Sequence, residues 1–210
     1  MIVIGITGPT GAGKTTALNE LKELGGCILD ADVIYHELLS GSADLRHELE
    51  ARFGPMTDGE GHFDRKKLGA VVFHAPAALA DLNAIAHRYV VREISERLAQ
   101  AEQAGRPVAA IDAIGLFESG ADKLCRTTLA ITAPAEIRVQ RIMAREGISE
   151  EYARSRVNAQ NPDSFYTSRC QHVLVNDCAS AEEFASRARA LFTQILRENE
   201  IGLCAERRPY

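Results

Sequence analysis

An α/β fold with a five-stranded parallel sheet flanked by helices is the architecture this sequence predicts, and three observations carry it. Short β-branched apolar runs alternate with longer stretches at helical spacing, the pattern of strands covered on both faces. The first run, Ile2 to Thr7, leads straight into Gly8-Pro9-Thr10-Gly11-Ala12-Gly13-Lys14-Thr15, which matches G-x-x-x-x-G-K-[ST] in full. A later run, Val108-Ala-Ala-Ile, ends on Asp112, an acid at the tip of a buried strand.

Taken in order, Ile2 to Thr7 reads as a buried strand. Lys14 to Leu24 reads as a helix, with Leu18, Leu21 and Leu24 on related faces and Gly25-Gly26 as its stop. Cys27 to Asp30 is a second strand, and Val33 to Leu39 a helix with Gly41 just past it. Residues 42–105 then break the rhythm as one long inserted segment. It holds a turn-rich stretch from Gly54-Pro55 through Gly61, a helix after Asp64, and a long helix from Pro76 towards Gln103 that Gly105 and Pro107 close. Pro107 to Ile111, Thr127 to Thr132 and Val173 to Val175 supply the remaining strands. Pro134 opens a helix that Gly147 ends, and Ser180-Ala-Glu-Glu183 is a capping box for the last helix, to about Glu198. Between them, Glu146 to about Cys170 is rich in charge and turn residues. The expected organisation is a core of residues 1–41 and 106–200, a helical substrate-side subdomain at 42–105, a lid at about 146–170, and a polar tail at 201–210.

Composition narrows the function. The chain has 210 residues, 46% hydrophobic and 25% charged, within the range of packed globular domains. A net charge of -5 argues against a general nucleic-acid or anionic-membrane binder, which carries a basic excess. Five cysteines without a C-x-x-C pair support neither a disulfide framework nor a zinc ribbon, and point to reduced thiols in the cytoplasm. No apolar run approaches the ~18 residues of a membrane span, and Met1-Ile-Val-Ile-Gly lacks the basic start of a signal peptide. No interface patch is legible, so a monomer is expected.

The phosphate loop is the strongest chemical signal. Its glycines let backbone N–H groups turn onto an anion, and the following helix adds its positive end. In such a loop Gly8, Gly11, Ala12 and Gly13 cradle phosphate, Lys14 reaches the β- and γ-phosphates, and the Thr15 hydroxyl ligates Mg²⁺. Asp112 is the second expected ligand of that ion, as the acid of a Walker B strand. Asp30 and Asp32 follow the second strand at the sheet edge where open α/β folds bind ligands. Asp32 is the candidate to deprotonate or orient an acceptor hydroxyl; the alternative makes it the N-cap of the helix from Val33. Arg138, Arg141 and Arg145 lie on adjacent faces of one helix. They either clamp phosphate or form a solvated face with Glu136, Glu146, Glu150 and Glu151.

These motifs, in this order, resemble the dephospho-CoA kinase family of P-loop kinases. The resemblance spans Ile2 to about Leu196 and rests on Ile6 to Thr16, Leu29-Asp-Ala-Asp32, Phe63-Asp-Arg65 with Leu68 and Val72-Phe73, and Leu82-Asn83 with His87. Asp112 with Leu116-Phe-Glu118, Arg141 with Arg145, Gln160, and Val173-Leu-Val-Asn176 complete it. It implies a P-loop kinase fold, ATP and Mg²⁺ as cofactors, and transfer of the γ-phosphoryl of ATP to the ribose 3′-hydroxyl of dephospho-CoA. By the same motifs Thr16 joins the ATP phosphate loop, Arg65 and His87 fall in the acceptor subdomain, and Arg141 and Arg145 lie where the ATP site meets the lid. Asn176 falls near the adenine pocket. The sequence departs from the family at Arg88, Ile114, Gly115, Tyr166 and Gln171, and at Asp177-Cys178, mostly on the acceptor side or around adenine.

Other readings use the same residues. A P-loop kinase for a nucleotide or another small hydroxyl compound shares loop and lid. An ATP-binding regulator without catalysis would explain the departures, although Lys14, Thr15, Asp32 and Asp112 are all retained. A GTP-binding switch finds its D-x-x-G in Asp112 to Gly115, but no Asn-Lys-x-Asp to read guanine.

Overall fold

A computed structural model describes residues 1–58 and 63–199. Part of the turn-rich stretch (Gly59 to Gly61) and the polar tail 201–210, with Cys204, lie outside the described residues. The β-branched runs form strands β1 (Ile2–Thr7), β2 (Cys27–Asp30), β3 (Val108–Asp112), β4 (Thr127–Thr132) and β5 (His172–Val175). They pair in the order β2-β3-β1-β4-β5, every neighbour parallel. β4 is buried at all six positions, as a central parallel strand must be, whereas β5 at the edge leaves Val173 and Val175 exposed.

Helices cover both faces. On one, α1 (Lys14–Glu23) and α9 (Ala181–Glu198) press Leu18, Leu21, Phe184, Phe192 and Ile195 onto Ile2, Ile4 and Ile6 of β1. On the other, Ile34 of α2 (Ala31–Gly41) and Val90, Ile94 and Leu98 of α5 (Pro76–Gln103) pack on Leu29, Ala109 and Ile111. The N-terminal half of α5 leaves the sheet and joins a separate apolar cluster. There Ile85 meets Leu45 and Leu49 of α3 (Ala43–Phe53) and Leu68 and Val72 of α4 (Arg65–Val72). Arg88 lies within an unbroken α5, and its guanidinium donates to Glu48 of α3.

The elements differ from expectation in instructive places. α2 starts at Ala31, not Val33, because Asp30 is its N-cap; the Asp30 carboxylate accepts from the amides of Asp32 (2.9 Å) and Val33 (3.1 Å). β3 starts at Val108, not Pro107, and Asp112 is its last member, as the Walker B reading expects. α3 and the two helices in the charged stretch, α7 (Glu150–Asn158) and α8 (Asp163–Thr167), add to the expected elements. α6 (Ala135–Glu146) ends as predicted, with Gly147 at φ 65°. Ser180 caps α9 through the Glu183 amide, but the Glu183 carboxylate reaches back to the Ala179 amide, one residue before the cap.

Candidate active site

Parallel pairing brings three strand ends to one edge. Asp112 stands opposite Ile6 of β1 and opposite Asp30 of β2, so the chain leaves β1 for the phosphate loop with both acids alongside. The loop lies in a cleft of about 540 Å³ lined by Thr10 to Thr15, Asp30, Asp32, Asp112, Arg141, Arg145 and Arg156. Its backbone demands glycine: a Cβ on Gly8 (φ 139°) would stand 1.9 Å from the Ile131 carbonyl oxygen. One on Gly13 (φ 102°) would meet the Asn176 side-chain nitrogen at 2.3 Å.

Lys14 donates from Nζ to the Gly8 carbonyl at 2.9 Å, folding its chain back along the loop. Burial lowers its pKa from the usual lysine range, opposed by the charges of Asp112, Asp32 and Asp30. Asp112 is the mirror case. Burial lifts its carboxyl to about 6, Lys14 pulls it down, and Asp30 and Asp32 push it up. Its Oδ1 is buried without a hydrogen-bond partner. An orphaned carboxylate oxygen beside a phosphate loop, with the exposed Thr15 on the same cleft wall, fits a small hard cation, which takes one or two protein oxygens and completes its shell with phosphate and water.

That orphaned charge has a measurable cost. The folded chain holds Asp112 with a carboxyl pKa above its unfolded value. The folded state therefore binds the extra proton between about pH 4 and 6, and stability falls as pH rises through that window. Asp112→Asn is expected to stabilise the nucleotide-free protein in chelator at pH 8 by roughly 2 kcal/mol, with the gain vanishing below about pH 4. Thermal unfolding at both pH values checks this; an equal shift at each would remove the electrostatic explanation.

The two aspartates at the junction of β2 and α2 divide their work. Asp30 is the cap, while Asp32 is exposed in the first turn of α2. Asp32 lines the phosphate cleft and also a second, more apolar cavity of about 260 Å³, formed with Tyr35, Leu82, Asn83, His87, Ile114 and Gly115. His87 lies in that cavity, its pKa lowered by burial and opposed by Glu118. Arg65 lies in neither wall. It reaches His36 Nδ1 (3.0 Å) and Ser40 Oγ (3.4 Å) on α2, and its charge is felt by the Tyr35 hydroxyl.

The three arginines of α6 separate. Arg138 is 5% exposed and turned inward, donating to the Thr10 carbonyl (3.1 Å) and to Gln160 (2.7 Å). Gln160 in turn accepts from the Thr10 amide (3.1 Å) and donates to its hydroxyl (2.8 Å), so every polar group of this loop residue is held. Arg141 donates to the Gly11 carbonyl (3.3 Å) and to Asn176 Oδ1 (3.1 Å). Asn176 is 3% exposed and donates to the Ala12 carbonyl at 2.9 Å, so it braces the loop from behind rather than lining the cleft. Thr16 likewise lies on α1 outside the cleft wall. Arg145 pairs with Glu146, whereas Glu136 and Glu150 pair with Arg154. Arg156 is the cleft residue that sequence reasoning missed. It lies in the last turn of α7, four residues before Gln160, and only the placement of α7 against α6 brings it to the cleft.

A family model described as dephospho-CoA kinase matches residues 2–182. The chain belongs to the dephospho-CoA kinase family. A curated relative of that name from Dehalococcoides mccartyi is 37% identical over 179 residues, covering 85% of this chain and 90% of its own. Among solved structures, TT1252 from Thermus thermophilus aligns with a TM-score of 0.75 at 34% identity, over 93% of this chain and 97% of its own. The dephospho-CoA kinase from Campylobacter jejuni aligns at 0.67 and 25% identity, over 94% and 98%. Family membership makes this an ATP-dependent kinase of a small molecule on a P-loop kinase fold.

The departures from the family pattern acquire places. Tyr166 is buried (1% exposed) against Phe165, and Gln171 ties the start of β4 by accepting from the Thr128 amide at 2.8 Å. Tyr166 is a core residue here, and Gln171 an exposed brace of β4. Ile114 and Gly115 do line the second cavity. Among the described residues no helix is long and apolar enough to cross a membrane.

Proposed function

We propose that the chain transfers the γ-phosphoryl of ATP to the ribose 3′-hydroxyl of dephospho-CoA, giving CoA and ADP, with the phosphates in the loop cleft and the acceptor in the adjoining cavity. The observation that carries this reading is Asp32, which lines both. A hydroxyl entering from the apolar cavity meets the phosphate cleft at that carboxylate. Asp32 accepts the hydroxyl proton as the acceptor oxygen bonds to phosphorus, and the bridging P–O bond breaks towards ADP. Gly8, Gly11, Ala12 and Gly13 shape the cradle, and Lys14 with Arg141 offsets charge on the transferring group, so positioning and electrostatics supply most of the rate. Thr15 and Asp112 would hold the Mg²⁺ that accompanies ATP, and that ion would offset negative charge on the transferring phosphoryl group.

His87 and Asn83 supply polar contacts in an otherwise apolar acceptor cavity, and Arg65 lies just outside it for a charged part of a long acceptor. α3, α4 and the N-terminal half of α5 form the acceptor-side subdomain, and Glu146 to Cys170 the lid, tied to the loop through Gln160. Arg145 reaches the nucleotide from the lid side, and Thr16 and Asn176 serve the ATP site by supporting the loop. The proposed form is a cytoplasmic monomer that binds no nucleic acid.

The test is ADP release from Mg-ATP with dephospho-CoA, alongside adenosine, AMP, CMP, UMP and pantothenate. Dephospho-CoA alone is expected to stimulate turnover and to gain one phosphoryl group by mass. Turnover on a different acceptor would make this a divergent P-loop kinase and trace the change to Ile114 and Gly115. ATP binding with a silent panel would favour the regulator.

A further inference from the structure

The phosphate cleft contains an arginine, Arg156, and beside it a carboxylate, Glu146, that the mechanism above leaves unused. Its wall carries Asp30, Asp32 and Asp112 against Lys14, Arg141, Arg145 and Arg156. Without Arg145 and Arg156 it would present two cations against three carboxylates, a poor host for a triphosphate. With them the sign reverses.

Both guanidiniums are held by one carboxylate that is not part of the cleft wall. Arg145 Nη2 donates to Glu146 Oε1 at 2.6 Å, and Arg156 Nη1 donates to Glu146 Oε2. Together, Arg145 first, they hold the Glu146 carboxyl below the usual carboxylate range, so it is an anion at any working pH. Each guanidinium gives the carboxylate one of its five N–H donors, so Glu146 holds the pair without saturating it. The scaffold beneath is firm. Val139 and Ile142 of α6 pack on Ala153 and Val157 of α7, Arg154 joins Glu136 and Glu150 across the two helices, and Gln160 fixes the end of α7 to Thr10. Both arginines already line the cleft, so release from Glu146 requires only a turn of the side chain.

We propose that Glu146 is a built-in stand-in for phosphate: it holds Arg145 and Arg156 at the cleft wall in the empty protein and yields both to the triphosphate when ATP binds. Arg156 is then a nucleotide-binding residue and Glu146 a positioning residue. The inference rests on the ATP reading of the cleft but not on the identity of the acceptor.

Calorimetric titration of the whole protein with Mg-ATP, without acceptor, tests it. Arg156→Gln is expected to raise the Kd about tenfold, as loss of a charge-assisted hydrogen bond to phosphate does, with Arg156→Lys between it and the parent protein. Glu146→Gln is expected to act in the opposite sense, lowering the Kd about threefold because ATP no longer displaces a competing anion. A purely structural ion pair predicts something else: either substitution weakens the same contact, so both variants lose thermal stability and ATP affinity together. Shifts of the same sign, or no shift in either variant, overturn the proposal, and so does a parent protein that binds no ATP. Circular dichroism on each variant separates loss of binding from loss of fold. A protein that binds ATP with these opposite shifts but leaves dephospho-CoA unchanged would sink the acceptor assignment alone.

Discussion

Replacing Lys14 with alanine is expected to lower kcat/KM for ATP by about 10³-fold, the upper range for removing one preorganised donor from a transition state. Lys14 is the cation that the loop itself positions. Its chain is folded back onto the Gly8 carbonyl at 2.9 Å, and it faces three carboxylates that it partly neutralises. The loss is therefore double: phosphate loses its nearest cation, and the anion must enter beside Asp30, Asp32 and Asp112 with less to offset them. Lys14→Arg is expected to restore little, because a planar guanidinium on a longer chain does not fit the turn that ends on Gly8. Steady-state kinetics with saturating acceptor checks both variants. A rate for Lys14→Ala within tenfold of the parent would overturn the assignment of the loop as the catalytic phosphate site.

The strands and the loop were legible because their signals are local. β-branched runs need no partner to be recognised, and the glycine, lysine and threonine of the loop are each dictated by one contact. The helices that escaped notice carry weak local signals. α3 has only Leu45, Leu49 and Phe53 along one side of a polar segment, and α7 buries just Ala153 and Val157. Such helices stand on what they pack against, which is α5 for one and α6 for the other. The same reason hid the fates of Arg138, Arg141 and Arg145. Their spacing marks neighbouring faces, but whether a face meets solvent, the loop or Glu146 depends on where α6 lies against the phosphate loop and α7. Of the alternatives for these arginines, the acid-paired face is seen at Arg145 with Glu146, while Arg138 turns inward and Arg141 meets the loop.

Asp30 and Asp32 show where sequence stops and geometry decides. Both sit at a strand–helix junction, and either can cap. The cap goes to Asp30, the last residue of β2, because its backbone is extended at φ -83° and ψ 113° and its carboxylate reaches the amides of Asp32 and Val33. That frees Asp32 to point into the space shared by the two cavities. The two substitutions should therefore separate cleanly. Asp32→Asn keeps the shape and removes the charge that accepts a proton, so kcat is expected to fall by about 10²–10⁴-fold while the melting temperature stays within a degree or two of the parent. Asp30→Ala removes a cap worth about 1 kcal/mol and is expected to lower the melting temperature by a few degrees. Its effect on kcat should be far smaller, since Asp30 only adds to the field around Asp112 and Lys14. Kinetics and thermal unfolding on both variants decide it. If Asp30→Ala carries the larger catalytic loss, the proton acceptor is the residue at the strand end, and α2 owes its start to something other than the cap.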